Sequence, residues 1–171
     1  MKPLMDEVTR PLADQSLYIQ QGEVSIVDAS VIEAKQCRPN KKKDGSSAQD
    51  PDAGWNVKAG SDGKRKSTYG FKAHVKEDGF IKATDYTAGN VHDSNCFSEL
   101  SSGHESAAYA DSAYASQKHK RWLSDHRIEN RITRRAYRNR PLTAVDKQFN
   151  RQHNGTRSIV ERVFGVLKQH Y

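Results

Sequence analysis

Three carboxylates occupy settings where acids are costly. Asp28 lies within the apolar run "EVSIVDASVIEA", Asp111 within "AAYADSAYA" and Glu161 within "RSIVERVFGVLK". An ionised carboxylate among Val27, Ala29, Val31 and Ile32 carries a large desolvation cost unless a cation or several donors accompany it. Two carboxylates from neighbouring strands and a third from a packed helix can converge on divalent cations that take oxygen ligands, Mg²⁺ above all. Two such ions about 4 Å apart activate a water or sugar hydroxyl and stabilise the leaving oxygen of an in-line phosphoryl transfer. That chemistry asks for acids only, because thiolates and imidazoles favour softer metals. The expectation is that the three carboxyl groups converge to within roughly 10 Å, close enough to share a metal pair. Taken alone, Glu161 is explained as well by an ion pair to Arg157 four residues earlier, worth about 0.3–0.5 kcal/mol.

These acids need a framework. With Arg157 set to zero on a helical projection, Ile159, Val160, Val163, Phe164, Val166 and Leu167 fall between about 180° and 340°, an apolar stripe that must face a sheet. Arg157, Lys168 and Glu161 fall at about 0°, 20° and 40°, one narrow polar ridge beside that stripe. The closing helix is predicted to run from about Arg157.

Upstream, Val24, Ile26, Val27, Val31 and Ile32 populate both faces of an extended stretch, the pattern of a strand buried on both sides. The run from Arg38 to Thr68 is rich in Gly, Ser, Asp and Lys and reads as a long charged loop. Phe71, Ala73 and Val75 alternate with Lys72, His74 and Lys76 before Asp78-Gly79, which predicts a hairpin. Asp93 or Ser94 caps a short helix that stops at Gly103. A tight strand of small residues ends near Asp111, Ser116 caps a helix with Trp122 and Leu123 inward, and "RIENRITRR" is a short strand or ribbon. A further short helix is expected before Gly22. The order describes a mixed sheet with helices packed against it, fold class α/β.

At 171 residues the chain suits one domain. Its net charge of +7 is uneven: residues 127–171 hold 11 Lys and Arg against 3 Asp and Glu, and the rest is near balance. That asymmetry suggests a polyanionic partner, nucleic acid or a membrane surface. "RITRRAYRNR" contains Arg131, Arg134, Arg135, Arg138 and Arg140 with Tyr137 among them. Arginine forks suit bidentate phosphate contacts and the tyrosine suits stacking on an exposed base, so this segment is assigned to nucleic acid. Lys58, Lys72 and His74 are candidates to line the same cleft, with His92 as a neighbour of the active site. Cys37 and Cys96 are far apart and form no CxxC, which excludes a disulfide framework and a zinc finger and fits a reduced cytosol. His92 and Cys96, four apart, lack the partners a zinc site needs. No window approaches the roughly 18 apolar residues of a bilayer span, and the N-terminus lacks an apolar signal core, so no membrane role is expected.

Taken in order, "IVDASVIEA", "DPDAGWNVKAGS" followed by "YGFKAHV", "TAGNVHDS", "YADSAYAS" and "RSIVERVFGVLK" resemble the DDE transposases of bacterial insertion sequences, of the IS4/IS5-like group, within the RNase H-like superfamily. The similarity covers about residues 22 to 171, and Arg157, Glu161 and Lys168 match an Arg-x3-Glu-x6-Lys signature. The resemblance implies an RNase H-like mixed five-stranded sheet flanked by helices, with Asp28 on the first strand, Asp111 after the fourth and Glu161 on the final helix. It implies that Asp28, Asp111 and Glu161 bind two Mg²⁺ ions, with Mn²⁺ able to substitute. The implied reaction is cleavage of DNA at the element's ends and joining of the freed 3′-hydroxyl to target DNA, with Arg157 and Lys168 holding phosphates. A homodimer in a DNA-bound assembly, in the bacterial cytoplasm at the nucleoid, follows from the same likeness.

Asn154 stands where the family often has a tyrosine, no helical DNA-binding region precedes Asp28, and the chain stops at Tyr171. Residues 1–21 are therefore read as an N-terminal remnant or linker, and 22–171 as a catalytic domain truncated at its C-terminus. Two alternatives stay open: a catalytically inactive basic DNA-binding remnant, and an RNase H-like nuclease without strand transfer.

Overall fold

Residues 24–34, 50–60, 63–77 and 81–170, with single positions 7, 10, 11 and 14, are described by a computed structural model; at 159, 160, 167 and 170 this extends to the backbone alone. Among them, β1 (Val24–Glu33), β2 (Gly54–Ala59), β3 (Arg65–Glu77), β4 (Ile81–Ala88), β5 (Ala107–Ala110) and β6 (Glu129–Asn130) form one mixed sheet. Its order is β2-β3-β1-β5-β6, with β4 also paired to β3. The pairs β1/β3, β2/β3 and β3/β4 are antiparallel; β1/β5 and β5/β6 are parallel. Helices α1 (Phe97–Leu100), α2 (Gln117–Asp125) and α3 (Ala144–His170) complete the fold.

Burial on both faces sets the centre of the sheet. All four residues of β5 are buried. Ala108 and Ala110 join Val27 in a core with Phe97 and Leu100 of α1 and Leu123 of α2. Ala107 and Tyr109 join Ile26, Ala73 and Val75 on the opposite face, under Phe164 of α3. Small side chains let helices approach a strand this closely from both sides, and a strand covered twice reads as a continuous apolar run. β1 follows that pattern only through Ser25–Val27; Ile32 and Glu33 are exposed.

Local chemistry explains the helix starts. Ser116 accepts the amide of His119 at 3.1 Å and caps α2, as its position predicts. The turn Asp93–Cys96 that leads into α1 is capped by His92, whose Nδ1 accepts the Ser94 amide, rather than by Asp93 or Ser94. α3 begins at Ala144, well before the Arg157 start expected from its apolar stripe. Thr143 and Asp146 exchange hydrogen bonds across its first turn, the amide of Asp146 to the Thr143 hydroxyl at 3.1 Å and the amide of Thr143 to Asp146 at 3.0 Å. This is a capping box with Asp in the acidic position.

Three further expectations change. Part of the stretch read as a charged loop, 54–59 and 65–68, is β ladder, so Asp111 follows the fifth strand and the sheet has six. β6 is two residues long, but its bonding to β5 runs on through the Arg131 and Thr133 amides, to the Ala108 and Ala110 carbonyls at 3.0 Å each, and only the arginines from Arg134 onward lie outside the sheet. The hairpin of β3 and β4 forms, with a register shift at Lys76/Glu77; its Asp78-Gly79 turn lies outside the described residues, as do residues 35–49 and most of the expected helix before Gly22. β2 and β4 occupy successive lengths of β3, and three glycines make the junction: Gly89 donates its amide to the Gly70 carbonyl at 3.0 Å, and a Cβ on Gly89 would stand 2.6 Å from the carbonyl oxygen of Gly54. No helix among the described residues is long and apolar enough to cross a membrane.

Candidate active site

The parallel ladder of β1 and β5 ends with Val27 opposite Ala110. The next residue on each chain is an aspartate, so Asp28 and Asp111 arrive at the same level on adjoining strands. Each carboxyl is turned by the same local device. Asp28 Oδ1 accepts the amide of Ala29 at 2.8 Å, and Asp111 Oδ1 accepts the amide of Ser112 at 2.5 Å. Asp111 thereby caps the 3-10 turn Ser112–Tyr114. Thr133, whose amide is held by the Ala110 carbonyl at 3.0 Å, brings its hydroxyl to 3.4 Å from the same Asp111 oxygen.

Burial pushes the Asp28 carboxyl above its ordinary value, and the nearby charges of Asp111 and Asp93 push the same way; the Ala29 amide and the Arg157 guanidinium oppose them. A half-buried acid beside other acids favours its neutral form unless a cation is supplied. Among the described residues the cation that acts on Asp28 is Arg157, which also pairs with Glu161, Nη2 to Oε1, at 2.9 Å. Asp28, Asp111, Asp93 and Arg157 are thus one electrostatic group, and Glu161 joins it through Arg157. Glu161 is 53% exposed.

The rotation of α3 decides how this ridge lies. Phe164 is buried against the Ile26–Tyr109 core, whereas Val166 is 56% exposed. The expected apolar stripe therefore meets solvent at its 180° edge, and the buried arc is shifted toward Phe164 and Arg157. Lys168, further along the ridge, is exposed.

Asp28 and Asp111 offer hard oxygen donors side by side, and the polarisation of Asp28 by like charge favours a divalent ion; the donor set fits Mg²⁺ in kind. Among the described residues, no three His, Cys, Asp or Glu side chains stand close enough together to hold a metal ion.

Lys72 and His74 sit differently from their expected place along a cleft. Register with Val31 and Ala29 turns them to the face covered by residues 91–105, where both are buried. Lys72 Nζ pairs with Asp93 at 2.7 Å and donates to the Val91 carbonyl at 2.6 Å; His74 Nε2 meets the Thr87 hydroxyl at 2.8 Å. Neither presents surface to a phosphate. The sequence offers Asp93 only as a cap, and local spacing carries no sign of its pairing with a lysine of β3. His92 and Lys58 are exposed.

The arginine segment divides in two. Arg131 pairs with Glu129 at 2.5 Å, bonds the Tyr109 hydroxyl and lies over the Tyr109 ring. Arg134 pairs with Asp146 at 2.7 Å and stacks on Phe149, while its backbone amide and carbonyl both bond the side chain of Asn150. These two fasten the segment to β5 and α3. Arg135, Arg138 and Arg140 are exposed. Arg134, Arg135 and Arg140 with Lys120, Tyr137 and Phe149 line a cavity of about 460 Å³. Lys120, on the outer side of α2, is placed there by the fold and not by any motif.

A sheet of antiparallel neighbours followed by parallel ones, flanked by helices, is consistent with an RNase H-like fold. Residues 19–171 match the family described as Transposase DDE domain, and the chain belongs to that family. It is 27% identical, over 185 aligned residues, to the transposase for insertion sequence element IS1106 of Neisseria meningitidis serogroup B; the alignment takes in all of this chain and 62% of that protein. The chain thus spans less than two thirds of the length of that curated relative.

Proposed function

We propose that this domain is the catalytic core of an insertion-sequence transposase of the IS4/IS5-like group, extending from about residue 22, that cleaves DNA at the element's ends and joins the 3′-hydroxyl to target DNA. Asp28, Asp111 and Glu161 are the carboxylates assigned to two Mg²⁺ ions, or Mn²⁺ in their place. The observation that carries this reading is the parallel pairing of Val27 with Ala110, which sets Asp28 level with Asp111 in a chain of the transposase DDE family. Bound there, divalent ions supply Lewis acidity at the phosphoryl oxygens and a more acidic attacking water.

The chain's own residues do the rest. The Ala29 and Ser112 amides fix the rotation of the two aspartates, and Thr133 steadies Asp111. Arg157 and Lys168, on one ridge of α3, take phosphates beside the scissile bond. Arg135, Arg138, Arg140 and Lys120 form an exposed cationic surface suited to the DNA backbone. A homodimer on DNA at the nucleoid belongs to the same reading.

The test is nicking of a duplex carrying the element's ends, with Mg²⁺ or Mn²⁺, by the parent and by Asp28→Asn. Cleavage by the parent alone is expected, followed by transfer to a second duplex. Equal activity in both excludes these carboxylates, and cleavage without transfer leaves a nuclease. A second reading, a DNA-binding remnant, draws on the engagement of Glu161 by Arg157; it predicts salt-sensitive binding and no metal-dependent nicking.

A further inference from the structure

Arg157 acts on two of the acids that the proposed reading assigns to dications. Its guanidinium touches Glu161 at 2.9 Å and is the cation acting on Asp28, so one side chain serves acids from the helix and from β1. It is not a loose surface arginine: its side chain is 23% exposed, and its Nε is buried with no hydrogen-bond partner. A guanidinium presents five donors in a fixed fork, and this one leaves part of that fork unused.

We infer that Arg157 is the resident counter-ion of the site and exchanges partners, holding Glu161 before metal binds and a DNA phosphate once divalent ions engage the carboxylates, so that metal and DNA bind cooperatively. The inference rests on the metal site proposed above. Its physical basis is competition. A guanidinium on Glu161 blocks an oxygen that a metal needs, and a positive charge beside Asp28 repels an incoming dication. A phosphate relieves both effects, because it accepts the guanidinium fork bidentately. Coupling of this kind is reciprocal: whatever factor DNA contributes to metal affinity, metal contributes to DNA affinity.

Binding of Mn²⁺ is measured by electron paramagnetic resonance on the full chain, with and without a short duplex. The proteins are the parent, Arg157→Met and Arg157→Gln, with Arg162→Gln as the control. Arg162 is exposed on the same helix at about 140° from Arg157 and about 100° from Glu161, so its removal deletes equal charge away from the site. Without DNA, the Arg157 variants are expected to bind Mn²⁺ about tenfold more tightly than the parent, and Arg162→Gln to match it. Duplex should tighten Mn²⁺ binding in the parent and leave the Arg157 variants nearly unchanged. Folded Arg157 variants that bind Mn²⁺ no better than the parent overturn the inference, as does a duplex effect that survives in them. A parent that takes up no Mn²⁺ in either condition overturns the proposed function instead. Exposed Glu161 supplies an arm that leaves the Arg157 stem in place: without metal, Glu161→Gln should bind duplex several-fold more tightly than the parent, and that gain should vanish in the Arg157→Gln background. No gain in the single variant counts against the exchange.

Discussion

Lys76 and Glu105, 29 residues apart in the chain, form an ion pair beneath the sheet with both side chains almost wholly shielded from water. Glu105 also accepts the amides of Ser102 at 2.8 Å and Gly103 at 2.9 Å and the Ser102 hydroxyl at 2.8 Å. Burial by itself would raise the carboxyl's pKa, but the Lys76 ammonium and the backbone amides of Ser102 and Glu105 outweigh it and hold Glu105 at about 2. The pair ties the loop before β5 to β3 and thereby fixes the height at which β5 delivers Asp111.

Lys76→Met is expected to destabilise the fold by about 3–5 kcal/mol, since it strands a buried carboxylate, and adding Glu105→Leu should recover most of that loss. Urea midpoints at neutral pH measure both. A single variant within about 1 kcal/mol of the parent would show the pair to be solvated. The pH dependence has a definite sign. Because the folded pKa lies below the ordinary 4.5, the contribution of Glu105 is complete above that value and is lost as pH falls toward 2. Glu105→Gln should flatten that acid limb.

The arginine segment should separate by salt titration. Each phosphate neutralised contributes about 0.9 to the slope of log K against log salt on duplex DNA. Arg135→Ala and Arg138→Ala are expected to lower the slope by about one each, with little change in stability. Arg131→Ala and Arg134→Ala should leave the slope nearly intact and shift the urea midpoint, because their guanidinium groups serve Glu129 and Asp146. The reverse pattern would place the ion-paired arginines on DNA.

Gly70 has φ of 154°, and a side chain there would run into the carbonyl of Ile32 on β1. Gly70→Ala is expected to cost more than the roughly 1–3 kcal/mol of backbone strain alone, since β1 and β2 both pair at that residue. Ala at exposed Gly63, where a Cβ meets nothing within 4 Å, carries the strain of a φ of 75° without the collision and is the comparison. Equal urea midpoints for the two variants would refute the crowding.

The parts of the fold that local pattern revealed are those whose burial is periodic or complete. The apolar runs of β1 and β5, the alternation in β3 and β4 and the Ser116 cap of α2 each state their partner's side within a few residues. β2 does not, because Asn56, Lys58 and Ala59 contribute ladder bonds to β3 and little buried surface, so a strand looks like a loop. The first half of α3 is polar and contains Gly155; its signal is the Thr143-x-x-Asp146 box and not a stripe. Lys72, His74 and Lys76 looked solvent-facing because their partners Asp93, Thr87 and Glu105 come from segments well separated in sequence, and no spacing within β3 encodes them. At the candidate site, Asp28 and Asp111 stood out through the cost of an acid in an apolar strand, whereas the alternative reading of Glu161, an ion pair with Arg157, describes its actual contact.

The helix from Ala144 to His170 is uninterrupted, and it joins the anchor of the arginine segment to the Arg157–Glu161 pair. Asp146 anchors the arginine segment near its start, and Glu161 lies fifteen residues on, roughly 22 Å along the axis at 1.5 Å per residue. The helix is in effect a ruler, about the length of six or seven base pairs. Adding or removing one residue between those marks would change that length by only about 1.5 Å but swing Glu161 and Arg157 through about 100° relative to Asp146. This stretch should therefore tolerate substitution far better than any change in its number of residues.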